Sequence, residues 1–317
     1  MAHREKRIIA HPRTDTIIVL AERRVQSARR LRVNDSLIVV QVGPRRLDGF
    51  QRDGRQVWTS THPDTSITIT GFNVTRTGTV FAIDAATQQF WRSDFPHAVR
   101  VQVPLGSVGA LEEFVALDER RILGVTRDSL RPLVRFSRDG EVASRTPFPD
   151  VALRRTHPLV RQGRLVPNVQ DPNWILTFSF IDGYLNVRGS TVEYRSKGVE
   201  TIVPPRVVIV KTPQGGDFVR LEDRTSATGA AAATNAEVLL LPGDRRTPGT
   251  HTLIDRYRRR DGRYVGSYDM GVQVRDIAAI GEEIFVLTPA ALVRLSATTL
   301  SLSLPNRNQS MSLRQLY

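Results

Sequence analysis

The chain has 317 residues, 40% of them apolar, and no cysteine, which excludes disulfides, thiolate metal sites, iron–sulfur clusters and cysteine nucleophiles. That length suits one large or two ordinary domains, and no apolar run approaches the roughly 20 residues that a membrane-spanning helix needs. Lys plus Arg outnumber Asp plus Glu 45 to 32, a formal net charge of +13, and such a field favours acidic partners: nucleic acid, anionic headgroups or an acidic protein face.

Only Lys6, Lys197 and Lys211 are lysines; every other cation is an arginine. Residues 1–34 read as an N-terminal extension. Met1–Ala10 lacks the apolar core of a signal peptide, so the cytoplasm is the default expectation. Further along the extension, Thr16–Leu20 forms a strand with no local partner.

Beyond the extension, short apolar runs return at Leu37–Val40, Val80–Ile83, Ile122–Val125, Ile175–Phe178, Val238–Leu241 and Ile284–Leu287, with spacings of 43, 42, 53, 63 and 46 residues. Each is rich in β-branched or large apolar types and is followed by Gly, Pro, Asp or polar residues, the profile of a buried strand. Helical patterning is scarce. The best helical stretch is the small-residue tract Ala227–Ala236, too short and polar to anchor a layer.

The units share more than one strand. Phe50 precedes Asp53-Gly54, Phe136 precedes Asp139-Gly140 and Tyr257 precedes Asp261-Gly262, each followed by a further strand. A fourth unit reads as Tyr194, Lys197-Gly198 and a strand Val199–Ile202. Asp-Gly between alternating apolar residues is the signature of a type I′ hairpin. Ahead of the apolar runs lie Ile67–Val74, Phe114–Leu117 and Val274–Ile280, each joined to its run by a tight link. The expectation is an all-β, six-bladed β-propeller of four-stranded antiparallel blades over residues 35–304, with a C-terminal tail at 305–317. A sandwich or a closed barrel predicts no such repeated unit. Ring closure is expected from Thr16–Leu20 meeting Leu300–Leu304, which alternates with a period of two.

The segment VQVRDIAAIGEEIFVLTPAALVRL at 272–295, following LIDRYRRRDGRYVGSYDM at 253–270, resembles the closing blades of bacterial six-bladed propellers of the NHL and TolB-like group. Asp84 in TVFAIDAATQQFWRSD fits the same pattern, in which a strand ends at Asp and a return strand follows. The resemblance implies the fold, and a periplasmic face as an alternative location. It implies no single chemistry, because such scaffolds host binding proteins, lyases and hydrolases.

No catalytic constellation emerges, and no catalytic residue, metal site or cofactor is assigned. The histidines His3, His11, His62, His97, His157 and His251 are scattered, and His11, His62 and His157 precede proline, which reads as turn chemistry. HExxH, GxSxG and P-loop motifs are missing. A calcium-dependent lactonase-like site, which the resemblance allows, would draw its hard oxygen ligands from Glu112, Asn168, Asn173, Asn235 and Glu282. An RNA-binding face would draw on the basic clusters at Arg23–Arg32, Arg154–Arg164 and Arg256–Arg260, though Trp58, Trp91 and Trp174 lie where core packing is their expected duty. The leading expectation is a non-catalytic accessory subunit whose Arg256, Arg258, Arg259 and Arg260 engage an acidic surface of a larger, membrane-bound or soluble, assembly. It has no transmembrane segment of its own.

Overall fold

The computed structural model describes residues 8–296 apart from 26, 85, 95–98, 104–110, 117, 119–120, 138, 167–172, 190, 200–201, 213–214 and 244–249. Two short strands, β1 (Ile9–Ala10) and β2 (Arg13–Val19), precede a series of antiparallel meanders. The first sheet is β3 (Ala28–Val33), β4 (Leu37–Val42), β5 (Arg46–Gln51) and β6 (Gln56–Thr61). The second is β7 (Gly71–Val74), β8 (Val80–Asp84), β9 (Gln89–Asp94) and β10 (Val99–Val103). The third is β11 (Leu111–Ala116), β12 (Ile122–Thr126), β13 (Leu133–Phe136) and β14 (Val142–Thr146).

One helical turn, α1 (Val151–Arg155), leads into the fourth sheet: β15 (Gly163–Val166), β16 (Asn173–Phe178), β17 (Tyr184–Arg188) and β18 (Thr191–Ser196). A separate hairpin follows, β19 (Arg206–Lys211) with β20 (Asp217–Glu222). The fifth sheet is β21 (Thr228–Ala233), β22 (Glu237–Pro242), β23 (Leu253–Arg258) and β24 (Tyr264–Asp269). The sixth is β25 (Asp276–Ile280), β26 (Glu283–Leu287) and β27 (Ala291–Ser296).

The first strand of each meander is innermost. β3 packs beside β7 and β25, β11 beside β7 and β15, and β21 beside β15 and β25, which closes a ring. The molecule is a six-bladed β-propeller. The apolar runs fall on the second strand of every blade. Strands β4, β8, β12 and β16 are buried at every position because neighbouring blades cover both of their faces. Outer strands keep the alternation of a half-wet sheet, as in β18.

Aromatic residues fill the wedges between blades. Phe90 lies 5.4 Å from Phe81 and 5.2 and 5.6 Å from Phe114 and Phe136 of the next blade. Tyr184 and Tyr257 meet edge to face at 5.7 Å between the fourth and fifth blades. Trp91 and Trp174 are buried and Trp58 is half-buried, as core packing requires.

Closure uses the N-terminus. β2 pairs antiparallel with β27, Thr16 opposite Val293, and so becomes the outermost strand of the sixth blade. β1 adds to the fifth blade in parallel with β24, Ile9 opposite Ser267. Ile18 and Leu20 then pack with Leu31, Val40 and Phe50 of the first blade and Phe285 and Leu292 of the sixth. Leu300–Leu304 and the 305–317 tail lie outside the described residues.

Several expectations are corrected. Ala227–Ala236 has no helix: it carries β21, an innermost strand, where alanines fit the crowded centre of the ring. The first blade opens at Ala28, ahead of residue 35, because its inner strand lies within the basic stretch. Ile67 and Ile69 are buried without joining a strand. Tyr194 belongs to outermost strand β18, and the described residues of Val199–Ile202 form no strand.

The Asp-Gly turns differ from type I′. At Gln51–Arg55 the Gly54 N–H donates to Gln51 O (3.0 Å) and Gln51 N–H to Arg55 O (2.8 Å), and only Gly54 takes a positive φ, +86°. This is a type I turn closed by a left-handed glycine; the same pair of hydrogen bonds recurs from Gly140 N–H to Ser137 O and from Ser137 N–H to Glu141 O, again with a positive φ at the glycine. The wider spacings of 53 and 63 residues mark the α1 connection and the β19–β20 insertion.

Gly163 answers a close approach of the backbone, since a Cβ there would press into the Thr177 carbonyl oxygen. Gly163→Ala is expected to cost about 1–3 kcal/mol through forced backbone shifts, read as a lower urea midpoint at unchanged m-value. An unaltered midpoint would mean that β15 and β16 separate freely.

Candidate functional site

Two polar features stand out, one at the rim and one on the axis. At the rim, the β23–β24 turn carries Arg258, Arg259, Arg260 and Arg263 around Asp261. The turn is held rigidly. Gly262 N–H donates to Arg258 O (2.8 Å), Ser196 Oγ of the neighbouring blade donates to Gly262 O (2.8 Å), and the Tyr194 hydroxyl donates to Arg259 O. Gly262 is buried against the Tyr194 ring, where a Cβ would find no room. Asp261 sits 3.1 Å from Arg258, 3.8 Å from Arg260 and 3.9 Å from Arg263. The Arg263 N–H and then the Arg258 charge hold its carboxyl below the ordinary carboxylate value, so it is ionised at neutral pH. One carboxylate thus serves a cluster of cations, and Arg260 and Arg263 remain 77% and 80% exposed.

The predicted docking arginines divide. Arg256 is engaged within its own blade: it grips Glu237 in a two-point fork (2.9 and 2.5 Å) and its guanidinium stacks 4.3 Å over the Tyr268 ring. Arg259 is half-buried and donates to Thr234 O (3.3 Å). Arg258 is half-buried against Asp261, while Arg260 faces solvent together with Arg263, which the sequence reading did not single out.

The other basic clusters scatter as well. Arg161 is buried, donating to Leu153 O, Asp128 O and Ser129 O (3.2, 2.8 and 2.8 Å) with its guanidinium over Phe148, and so staples α1 to the third blade. Arg154 donates to Phe148 O (2.6 Å).

The oxygen-ligand candidates are not brought together. Glu112 accepts from Arg127 (2.8 Å) and Gln162 (3.1 Å), and buried Asn173 accepts from Arg188 (3.3 Å). Asn235 is exposed in the link beside Gly281, Glu282 is exposed, and Asn168 lies outside the described residues. Among the described residues no group of three or more His, Asp or Glu converges on a point. His62 and His157 accept from the N–H groups of Asp64 and Leu159 (3.2 Å each), as turn formers do; His3 and His97 lie outside the described residues.

On the axis, a small open pocket is lined by residues of β3, β7, β15, β21 and β25, among them Arg32, Asn73, Arg164 and Asp276. Asp276 accepts from Leu31 N–H (2.8 Å) and pairs with Arg32 (3.3 Å). The sequence reading missed this site, because period-two alternation alone does not tell which arginines of a strand turn to the axis.

No protein-family model matches the chain and no curated protein sequence matches it. Solved structures do match. Virginiamycin B lyase from Staphylococcus aureus aligns over 89% of this chain and 98% of its own, at TM-score 0.56 and 11% identity. A streptogramin B lyase structure covers 90% of this chain and 97% of its own, at TM-score 0.52 and 10% identity. The β-propeller domain of Cps50 (Swd1) from Myceliophteria thermophila covers 90% and 100%, at TM-score 0.51 and 9% identity. The likeness is one of fold. Among the described residues no helix is long and apolar enough to cross a membrane.

Proposed function

We propose that this chain is a non-catalytic propeller of the NHL and TolB-like kind, working as an accessory subunit that docks on an acidic protein surface of a larger assembly. The observation that carries the reading is the β23–β24 tip, where Arg258, Arg260 and Arg263 share Asp261 and the backbone is pinned by Tyr194 and Ser196. Arginines on a pinned turn meet carboxylates in forked geometry with only their side chains left to order. The net charge of +13 steers an acidic partner towards it.

The β19–β20 hairpin supplies an apolar complement. It joins none of the six blades, and Ile209, Phe218 and Val219 are exposed on it. An isolated two-stranded hairpin gains little stability in water, so an interacting protein is the expected cover.

Binding partners captured across a salt series from extract with and without nuclease treatment test the reading, with wild type compared against Arg260→Glu/Arg263→Glu. Both side chains are exposed, so the variant is expected to keep the wild-type melting midpoint while losing about tenfold or more of the captured protein at physiological salt. Capture by wild type is expected to fall as salt rises, because the screening length shrinks to about 8 Å at physiological ionic strength. Equal recovery of the same partner by both proteins would remove the tip from the interface, and capture abolished by nuclease would make the partner a nucleic acid.

A further inference from the structure

The central channel holds polar groups that the docking reading does not use. Three buried side-chain atoms there have no protein partner: Arg32 Nε on β3, Asn73 Oδ1 on β7 and Glu113 Oε1 on β11. Asn73 and Glu113 are 2% and 5% exposed. A buried polar atom left without a hydrogen-bond partner is costly, so such atoms gathered from three blades point to something that completes them.

The space around them is built, and its charge is positive. Asn73, Arg32, Arg164 and Asp276 line the same cavity, and its remaining wall is small and apolar, drawn from Ala231, Ala232, Ala233, Ala278 and Ala279. Beside it, Glu113 and Arg30 close in on the backbone of Gly71: a Cβ there would stand 3.3 Å from Ile83 Cγ2, 3.4 Å from Glu113 Oε1 and 3.8 Å from Arg30 Nη1. Asp276 is already satisfied by Leu31 N–H and Arg32. Burial pulls the Arg30 guanidinium below its ordinary pKa; Glu113 opposes the shift, while Arg164 and Arg32 add to it. A guanidinium stays protonated under such a load. Three arginines therefore face two carboxylates, one of which is spent, and a bound cation would meet net repulsion.

We propose that the channel is a binding site for a small oxyanion, a carboxylate or phosphate, held by Arg32 and Arg164. Arg32 Nε and the Arg164 fork donate to the oxyanion, and Asn73 with Glu113 accepts from a neighbouring hydroxyl or from the waters that accompany it. The alanine wall limits the size of the ligand.

Isothermal titration with malate and with inorganic phosphate, run as separate arms against wild type, Arg164→Met and Arg29→Met, tests the site. Arg164 is half-buried and lines the pocket, and Arg29 is an exposed arginine of the same strand as Arg32 that lines another part of the surface. The expected result is saturable one-to-one binding of at least one anion, weakened tenfold or more by Arg164→Met and unchanged by Arg29→Met. Which arm saturates distinguishes a carboxylate ligand from a phosphate. Should Arg164→Met fail to fold, Asn73→Leu replaces it, with the same loss expected. No saturable heat in either arm would mean that the channel holds water alone, and equal weakening by Arg29→Met would reduce the effect to net charge; either result overturns the proposal.

Discussion

Ile18→Asp is expected to abolish the cooperative unfolding transition or to shift it below ambient conditions. Ile18 is 3% exposed and stands where the N-terminal strand joins the first and sixth blades. Its burial is worth about 1.5–3 kcal/mol, and placing a carboxylate there adds a desolvation penalty of several more. The sum is a large part of the roughly 5–15 kcal/mol that holds an ordinary domain together. Loss of β2 also uncovers the edge of β27, whose free N–H and C=O groups invite pairing with other chains. Urea titration followed by circular dichroism, together with size-exclusion chromatography, checks both consequences. Thr16→Asp, on the exposed side of the same strand, is the control and is expected to stay within about 0.5 kcal/mol of wild type. Equal stability of the two variants would mean that the ring does not depend on its N-terminal closure.

Phe178→Ala is expected to cost about 3–5 kcal/mol, from lost transfer energy and the cavity that remains. The ring is 2% exposed and packs with Leu123 and Val125 of the third blade and with Leu165 and Leu176 of its own, so neither blade can collapse into the space without moving the other. The melting and urea midpoints are expected to fall together in one transition. A shift smaller than about 1 kcal/mol would show that the contact between these blades is loose.

Much of the fold was legible because the second strand of each blade is covered on both faces and is therefore mostly apolar. Leu37, Val80, Ile122, Ile175, Val238 and Ile284 all fall on or at the start of such strands. Inner strands were harder to read. In β21 the crowded centre of the ring admits alanine, whose own preference is helical, and packing overrides that preference. In β3 and β15 arginines alternate with apolar residues as they would on a wet edge, and only the closed ring turns Arg30, Arg32 and Arg164 inward.

The same limit applied at the rim. The run Arg256–Arg260 announced a basic tip, but Glu237, which ties up Arg256, comes from an adjacent strand in the sheet. Arg263, across the turn, completes the exposed cluster. Charge could be counted from the sequence, while its availability depends on strand register.

The docking claim is tested most directly by the structure of this chain bound to the partner it captures. The expected result is an acidic face of the partner seated on the β23–β24 turn, with carboxylate oxygens within about 4 Å of the Arg260 and Arg263 guanidinium groups, and with apolar side chains covering Ile209 and Phe218. A partner seated elsewhere on the propeller, with the tip left in solvent, would contradict it.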